Sequence, residues 1–153
     1  DPNFANYRFD PQSGDVILLD FGATRELSEE ISMLYRRFFV AGLVNDVDML
    51  EEVSASIGFV SENMNSSHHR QALDLISIAF EALRAPIFDF TDRSLTQRMQ
   101  RGGEALARDG FVPPVLPMDV LYLQRKFGGM FLLGARLKVR LPVADIMRAY
   151  LAA

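Results

Sequence analysis

The residues most able to do chemistry stand at the start of the chain, in DPNFANYRFDPQSGDVILLDFG. Asp1 is followed five positions later by Asn6, and Asp20, Phe21 and Gly22 spell Asp-Phe-Gly beyond a turn-rich stretch. Two acids and an amide suit phosphoryl transfer. In that reaction charge develops on the transferred group and must be held by metal ions and positioned donors. Magnesium is a hard cation that takes oxygen ligands, so a carboxylate and an amide oxygen can hold it while a second acid orients the nucleophile. Each piece also has a plainer reading. Asp-Phe-Gly occurs by chance, and Asp-Pro is an ordinary turn.

The elements around these residues decide whether they can meet. Asn6–Phe9 and Val16–Leu19 are short apolar-rich runs separated by DPQSGD, a run of turn formers, which reads as a β-hairpin. A hairpin sets its two ends, and so Asn6 and Asp20, side by side. Val16, Ile17, Leu18 and Leu19 are all apolar, which predicts a second strand buried on both faces.

Beyond Gly22 the period becomes helical. Ser28 can cap a helix with Glu29 and Glu30 in its first turn, continued by Ile31, Leu34, Tyr35, Phe38, Phe39 and Gly42. Asn45 or Asp46 starts a second helix that Gly58 stops. Ser66 or Ser67 starts a third, with Leu73, Ile76, Phe80 and Leu83 inward, ended by Pro86. Ser94 to Arg108 is a fourth, with Gly110 after it. VPPVLP at Val112–Pro117 is a rigid connector, Met118 to Val139 the longest helical pattern, and Pro142 opens a last short helix. The expected fold is mainly α, an N-terminal β-hairpin followed by about six helices, with no linker to split it.

Protein kinases place a catalytic-loop Asp, an Asn five residues later and the Asp of Asp-Phe-Gly in this order, with a hairpin between the last two. More specifically, DPNFAN at Asp1–Asn6, LLDFGATREL at Leu18–Leu27 and FVPPVLPMDVLYLQRKFGGMFLLGARLKVRLP at Phe111–Pro142 resemble the UbiB/AarF/ADCK family of atypical, protein-kinase-like proteins. The last stretch is no general kinase motif. The resemblance covers nearly all of this chain but only the C-terminal half of the family's kinase-like domain. It implies a single domain over residues 1–153, the C-lobe-like half of a protein-kinase-like fold from the catalytic loop onward. It makes Asp1 the catalytic aspartate, Asn6 and Asp20 metal ligands, and Asn6, Asp20, Phe21 and Gly22 the cofactor-binding set. ATP and Mg2+ are the implied cofactors in the full-length protein, an atypical kinase or ATPase in ubiquinone (coenzyme Q) biosynthesis. A lipid or quinone precursor, other quinone-biosynthesis proteins and a peripheral membrane contact are the further implied partners. The implied location is the bacterial cytoplasm, peripheral to the inner membrane, or the mitochondrial matrix of a eukaryote.

The chain departs from a complete kinase in what it lacks. The family's pocket needs a small-residue loop over the phosphates, a strand lysine and a glutamate to pair it. The lysines here are Lys126 and Lys138, both within the long late helical pattern, and neither fits a strand lysine. The chain opens Asp-Pro rather than Met and reads as a piece of a longer protein, catalytically silent alone. There is also no Ala-Pro-Glu to close an activation segment, which favours a small or lipidic substrate over a peptide.

Composition sets outer bounds. The 153 residues are 49% hydrophobic and 24% charged, a globular balance with room for a sizeable core. No cysteine is present, so disulfides and thiolate metal sites are excluded. A net charge of -4 argues against a nucleic-acid module. The longest apolar stretch, Gly128–Ala135, falls short of the roughly 20 residues a membrane span needs. His68 and His69 are neighbours on a helix, about 100° apart, so they share no ligand face; a solvated helix start is expected. Gly128, Gly129 and Gly134 in the late helix read as close packing or as a membrane-facing helix basic at both ends. Arg25 pairs an acid or approaches a phosphate. Two rivals to the enzyme reading are a pseudokinase-like module that binds a quinone precursor and a helical interaction domain with a coincidental Asp-Phe-Gly.

Overall fold

The computed structural model describes residues 3–21, 24–61 and 63–152. A one-turn 3-10 helix at Phe4–Asn6 leads into strands β1 (Tyr7–Phe9) and β2 (Val16–Leu18), which pair antiparallel with Tyr7 opposite Leu18. Their connection is closed by Asp10, whose side chain accepts the Gln12 N–H at 2.8 Å, and by Gly14 at φ 78°. The Gln12 N–H also holds the Asp10 carboxyl below its ordinary value. Among the described residues six helices follow: α1 (Glu29–Val44), α2 (Val47–Ile57), α3 (Ser66–Leu83), α4 (Arg93–Arg108), α5 (Met118–Arg136) and α6 (Val143–Leu151). The chain is mainly α with an N-terminal hairpin, as its patterning predicts.

Helix starts follow from side-chain caps. Ser28 accepts the Ile31 N–H, Asp46 the Met49 N–H, Asn65 the Ser67 N–H and Asp92 the Ser94 N–H, satisfying donors that a helix cannot pair internally. Several helix ends share one device. The chain turns left-handed at Asn45 (φ 62°), Gly58 (φ 96°), Gly110 (φ 78°) and Lys138 (φ 54°). The next residue's N–H then reaches back five positions, as Phe59 does to the Ser54 carbonyl at 2.9 Å.

The core joins four helices. Tyr35, Phe38 and Ala41 of α1 meet Leu50, Val53 and Ile57 of α2, Phe80 of α3 and Val120 of α5. The Phe38 and Phe80 rings cross edge-on with centroids 5.0 Å apart. Phe80 lies flat against Gly42, where any Cβ would strike the ring. The Ser54 hydroxyl is buried in this core and makes no hydrogen bond.

Three expectations need correction. The second strand is not buried on either face: Val16 is 63% exposed and Ile17 47%. Among the described residues this two-stranded sheet pairs with no third strand, so apolar composition does not become burial. The long helix stops at Arg136 rather than Val139, and Lys138 lies beyond it. There the Val139 N–H donates to the Gly134 carbonyl at 2.9 Å, and the Val139 carbonyl accepts from Phe90 N–H at 3.1 Å. The chain is thereby drawn into a second small sheet, β3 (Phe88–Asp89) against β4 (Arg140–Leu141), which no local pattern announces. Finally, His68 is not a solvated helix start: its side chain is 13% exposed.

The glycines of α5 divide. Gly134 is buried, and a Cβ there would collide with the Phe90 ring, whereas a Cβ on Gly128 would meet open space. Close packing therefore holds at Gly134. Among the described residues, no helix is long and apolar enough to cross a membrane.

Candidate functional site

The hairpin ladder continues one step past its strands. The Leu19 N–H donates to the Asn6 carbonyl at 2.9 Å, and the Asn6 N–H donates to the Asn3 carbonyl at 2.9 Å. The backbone of Asn6 is thus held from both sides, and Asp20 follows directly from its cross-strand neighbour. Asn6 and Asp20 line one recess of about 150 Å³. Phe21, Tyr7 and Leu18 form its apolar wall, Thr24 adds a hydroxyl, and Lys126 of α5 enters from across the fold. Asp1 and Gly22 lie outside the described residues.

The donor set has a definite chemical character. Asn6, Asp20 and Thr24 offer an amide oxygen, a carboxylate and a hydroxyl, all hard oxygen donors, while Lys126 supplies the opposite charge. Among the described residues no group of three or more acidic, histidine or cysteine side chains could cage a metal alone. Magnesium seldom uses such a cage; it is held by one or two carboxylates together with phosphates and waters. The residues present fit that arrangement.

The segment after Asp20 is fastened to α5. The Arg25 Nε donates to Asp119 Oδ1 at 2.6 Å, and its guanidinium lies 4.9 Å from the centroid of the Tyr122 ring. Of the two roles open to Arg25, the structure displays acid pairing. At the other end Arg136 of α5 covers the Phe4 ring at 5.0 Å. The neighbouring face of α5 is anchored in the core through Val120 and Leu123, and Phe127 meets the Phe39 ring edge-on at 5.4 Å.

A larger recess of about 260 Å³ lies elsewhere, beside Ser61, Asn65, His68 and Phe111. Its histidine is already engaged. His68 Nε2 is 3.1 Å from both the Asp109 carbonyl and Asp109 Oδ2, and its ring meets Phe111 edge-on at 5.6 Å. His69 turns away to Glu51 Oε1 at 2.8 Å. The two imidazoles therefore tie α3 to different neighbours, and size alone does not make this recess the chemical site.

No protein-family model matches the chain. Curated proteins do. The mitochondrial atypical kinase COQ8 of Saccharomyces cerevisiae is 28% identical over 97% of this chain and 30% of its own length. The mitochondrial atypical kinase COQ8B of Danio rerio is 30% identical over 98% of this chain and 24% of its own length. COQ8 of Schizosaccharomyces pombe is 26% identical over 99% and 25% respectively. These matches, which run along nearly the whole chain, support the UbiB/AarF/ADCK family of atypical, protein-kinase-like proteins. It spans under a third of the length of these curated relatives. Lys126 is the recess residue that the sequence pattern does not single out. The comparison sought a strand lysine, and nothing local to an α5 residue shows that it faces a hairpin more than a hundred positions earlier.

Proposed function

We propose that this chain is the metal- and phosphate-facing part of an atypical kinase or ATPase that binds Mg-ATP and supports ubiquinone biosynthesis. One observation carries the reading: Asn6 and Asp20 line the same recess beside the Asp-Phe-Gly, in a chain whose relatives are named atypical kinases. In this reading residues 1–153 are one domain, the catalytic-loop-onward part of a kinase-like unit. Asn6 and Asp20 hold the metal, and Phe21 and Gly22 complete the cofactor loop. Asp1 orients the attacking group. A lipid or quinone precursor is the acceptor or regulator, with other quinone-biosynthesis proteins and a peripheral membrane contact as further partners. The relatives' mitochondrial names support a mitochondrial location in a eukaryote, within which the matrix is the compartment proposed.

Bound magnesium would draw charge off the phosphoryl oxygens. The chain's own contribution is position. The hairpin hydrogen bonds hold the Asn6 backbone, and the Arg25–Asp119 pair fastens the segment beyond Asp20 to a core helix. Holding the donors in place before the ligand arrives avoids reorganisation during the reaction.

Asp20→Asn in the full-length protein tests the assignment. An amide cannot replace the carboxylate's charge toward a hard cation. Magnesium-dependent ATP hydrolysis should fall to background while the melting temperature holds; unchanged turnover with normal melting would make Asp20 structural. Running the wild-type assay with and without lipid separates an enzyme from a lipid-binding module that uses nucleotide as a switch. Residues 1–153 alone should bind ATP feebly and turn none over. The recess is open to water, which screens its charges, and the chain has no lysine before Lys126. Calorimetry giving a micromolar Kd, worth about -8 kcal/mol, would overturn that expectation.

A further inference from the structure

We infer that Lys126 is a phosphate-binding residue of this recess: its ammonium group approaches nucleotide phosphate oxygens from the α5 side, while Asn6 and Asp20 line the same recess from the hairpin. The inference rests on the Mg-ATP reading above and deepens it by assigning a cation that the Asp-Phe-Gly pattern does not contain.

Asp119, Tyr122 and Lys126 are spaced i, i+3 and i+7, so they form one stripe along α5. The first two members have visible partners on the N-terminal segment: Asp119 takes the Arg25 guanidinium at 2.6 Å and Tyr122 lies under it at 4.9 Å. One turn further on, the same stripe delivers Lys126 to the recess of Asn6, Asp20 and Thr24. On the adjacent stripe Val120 and Leu123 are set into the core, and the half-exposed Phe127 meets the Phe39 ring edge-on, so α5 cannot rotate without unpacking. The lysine is thus carried on a fixed helix, with only its flexible stem free to adjust.

The charge pattern gives the ligand class. A metal at Asn6 and Asp20 leaves a polyphosphate with negative charge still to be met, and a lysine ammonium meets it as a compact point charge. The base and sugar of a nucleotide carry no comparable charge. Lys126 should therefore discriminate by phosphate content and leave the nucleoside indifferent. The chain's other lysine, Lys138, sits past the end of α5 and does not line the recess, which makes it an internal control.

The experiment measures equilibrium binding of ATP, ADP and adenosine to the full-length protein, with and without magnesium, by calorimetry. Wild type, Lys126→Ala, Lys126→Arg, Lys138→Ala and Asp20→Asn are compared, with melting temperatures recorded for each. Lys126→Ala should weaken ATP and ADP about ten- to a hundredfold, the range for losing a hydrogen bond to a charged group. Adenosine affinity, magnesium dependence and melting should be retained. Lys126→Arg should restore most of the loss, and Lys138→Ala should behave as wild type. Wild-type ATP affinity in Lys126→Ala, alongside a magnesium-dependent loss in Asp20→Asn, overturns the lysine's role and leaves the metal site standing. Equal losses for ATP and adenosine make Lys126 a structural residue and also overturn it. Absence of ATP binding by the wild type overturns the Mg-ATP reading, and the role of Lys126 with it.

Discussion

Ile57 and Ile17 are the same side chain in opposite circumstances. Ile57, on α2, is 1% exposed and lies in a core shared with α1, α3 and α5. Ile17, on β2, is 47% exposed, and its neighbours Val16 and Leu18 stand at 63% and 49%. Burial needs a second layer, and the helices supply one to each other, whereas among the described residues the two-stranded hairpin is left largely uncovered. The core helices are held by packing. The hairpin is held by its ladder, by the Asn6–Leu19 hydrogen bond and by side contacts with α5. The region that carries the candidate chemistry is therefore the less packed one.

Equal deletions on the two elements test this contrast. Ile57→Ala should cost about 2–5 kcal/mol, the range for truncating a buried aliphatic side chain, read by urea unfolding of the 153-residue chain. Gly42→Ala should cost about 1–3 kcal/mol by forcing a methyl group into the Phe80 ring. Ile17→Ala should stay within about 0.5 kcal/mol, as is usual for exposed positions. Equal costs for Ile57→Ala and Ile17→Ala would erase the distinction. The smallest expected effect is electrostatic. The Ser94 N–H, then the Ser94 hydroxyl, hold the Asp92 carboxyl below its ordinary value at the start of α4. A depressed carboxyl contributes stability above its unfolded value, near 3.9, and loses it as pH falls through the folded value. Melting scans below about pH 4 should therefore show Asp92→Asn declining less steeply than the wild type.

What the sequence revealed was mostly local. Ser28, Asp46, Asn45, Gly58 and Gly110 act within one turn of their own helix ends, so residue type suffices to place them. The hairpin was legible through its turn formers, and with it the approach of Asn6 to Asp20. Lys138 was not, because a lysine in left-handed conformation is held there by the pairing of β4 with β3, contributed by a distant segment. The exposure of β2 escaped for a related reason: four consecutive apolar residues state a preference for burial, and only tertiary structure states whether a cover exists. The arrival of Lys126 at the recess depends on how α5 packs, which no window around position 126 contains.

In the proposed function Asn6 and Asp20 jointly hold a divalent cation with a nucleotide. The most direct measurement replaces magnesium with manganese and follows its electron paramagnetic resonance signal on titrating full-length protein with ATP present, for wild type, Asn6→Ala and Asp20→Asn. The account predicts a protein-bound Mn-ATP signal in the wild type that both substitutions remove or strongly weaken without lowering the melting temperature. A bound signal of wild-type strength in both variants would contradict it.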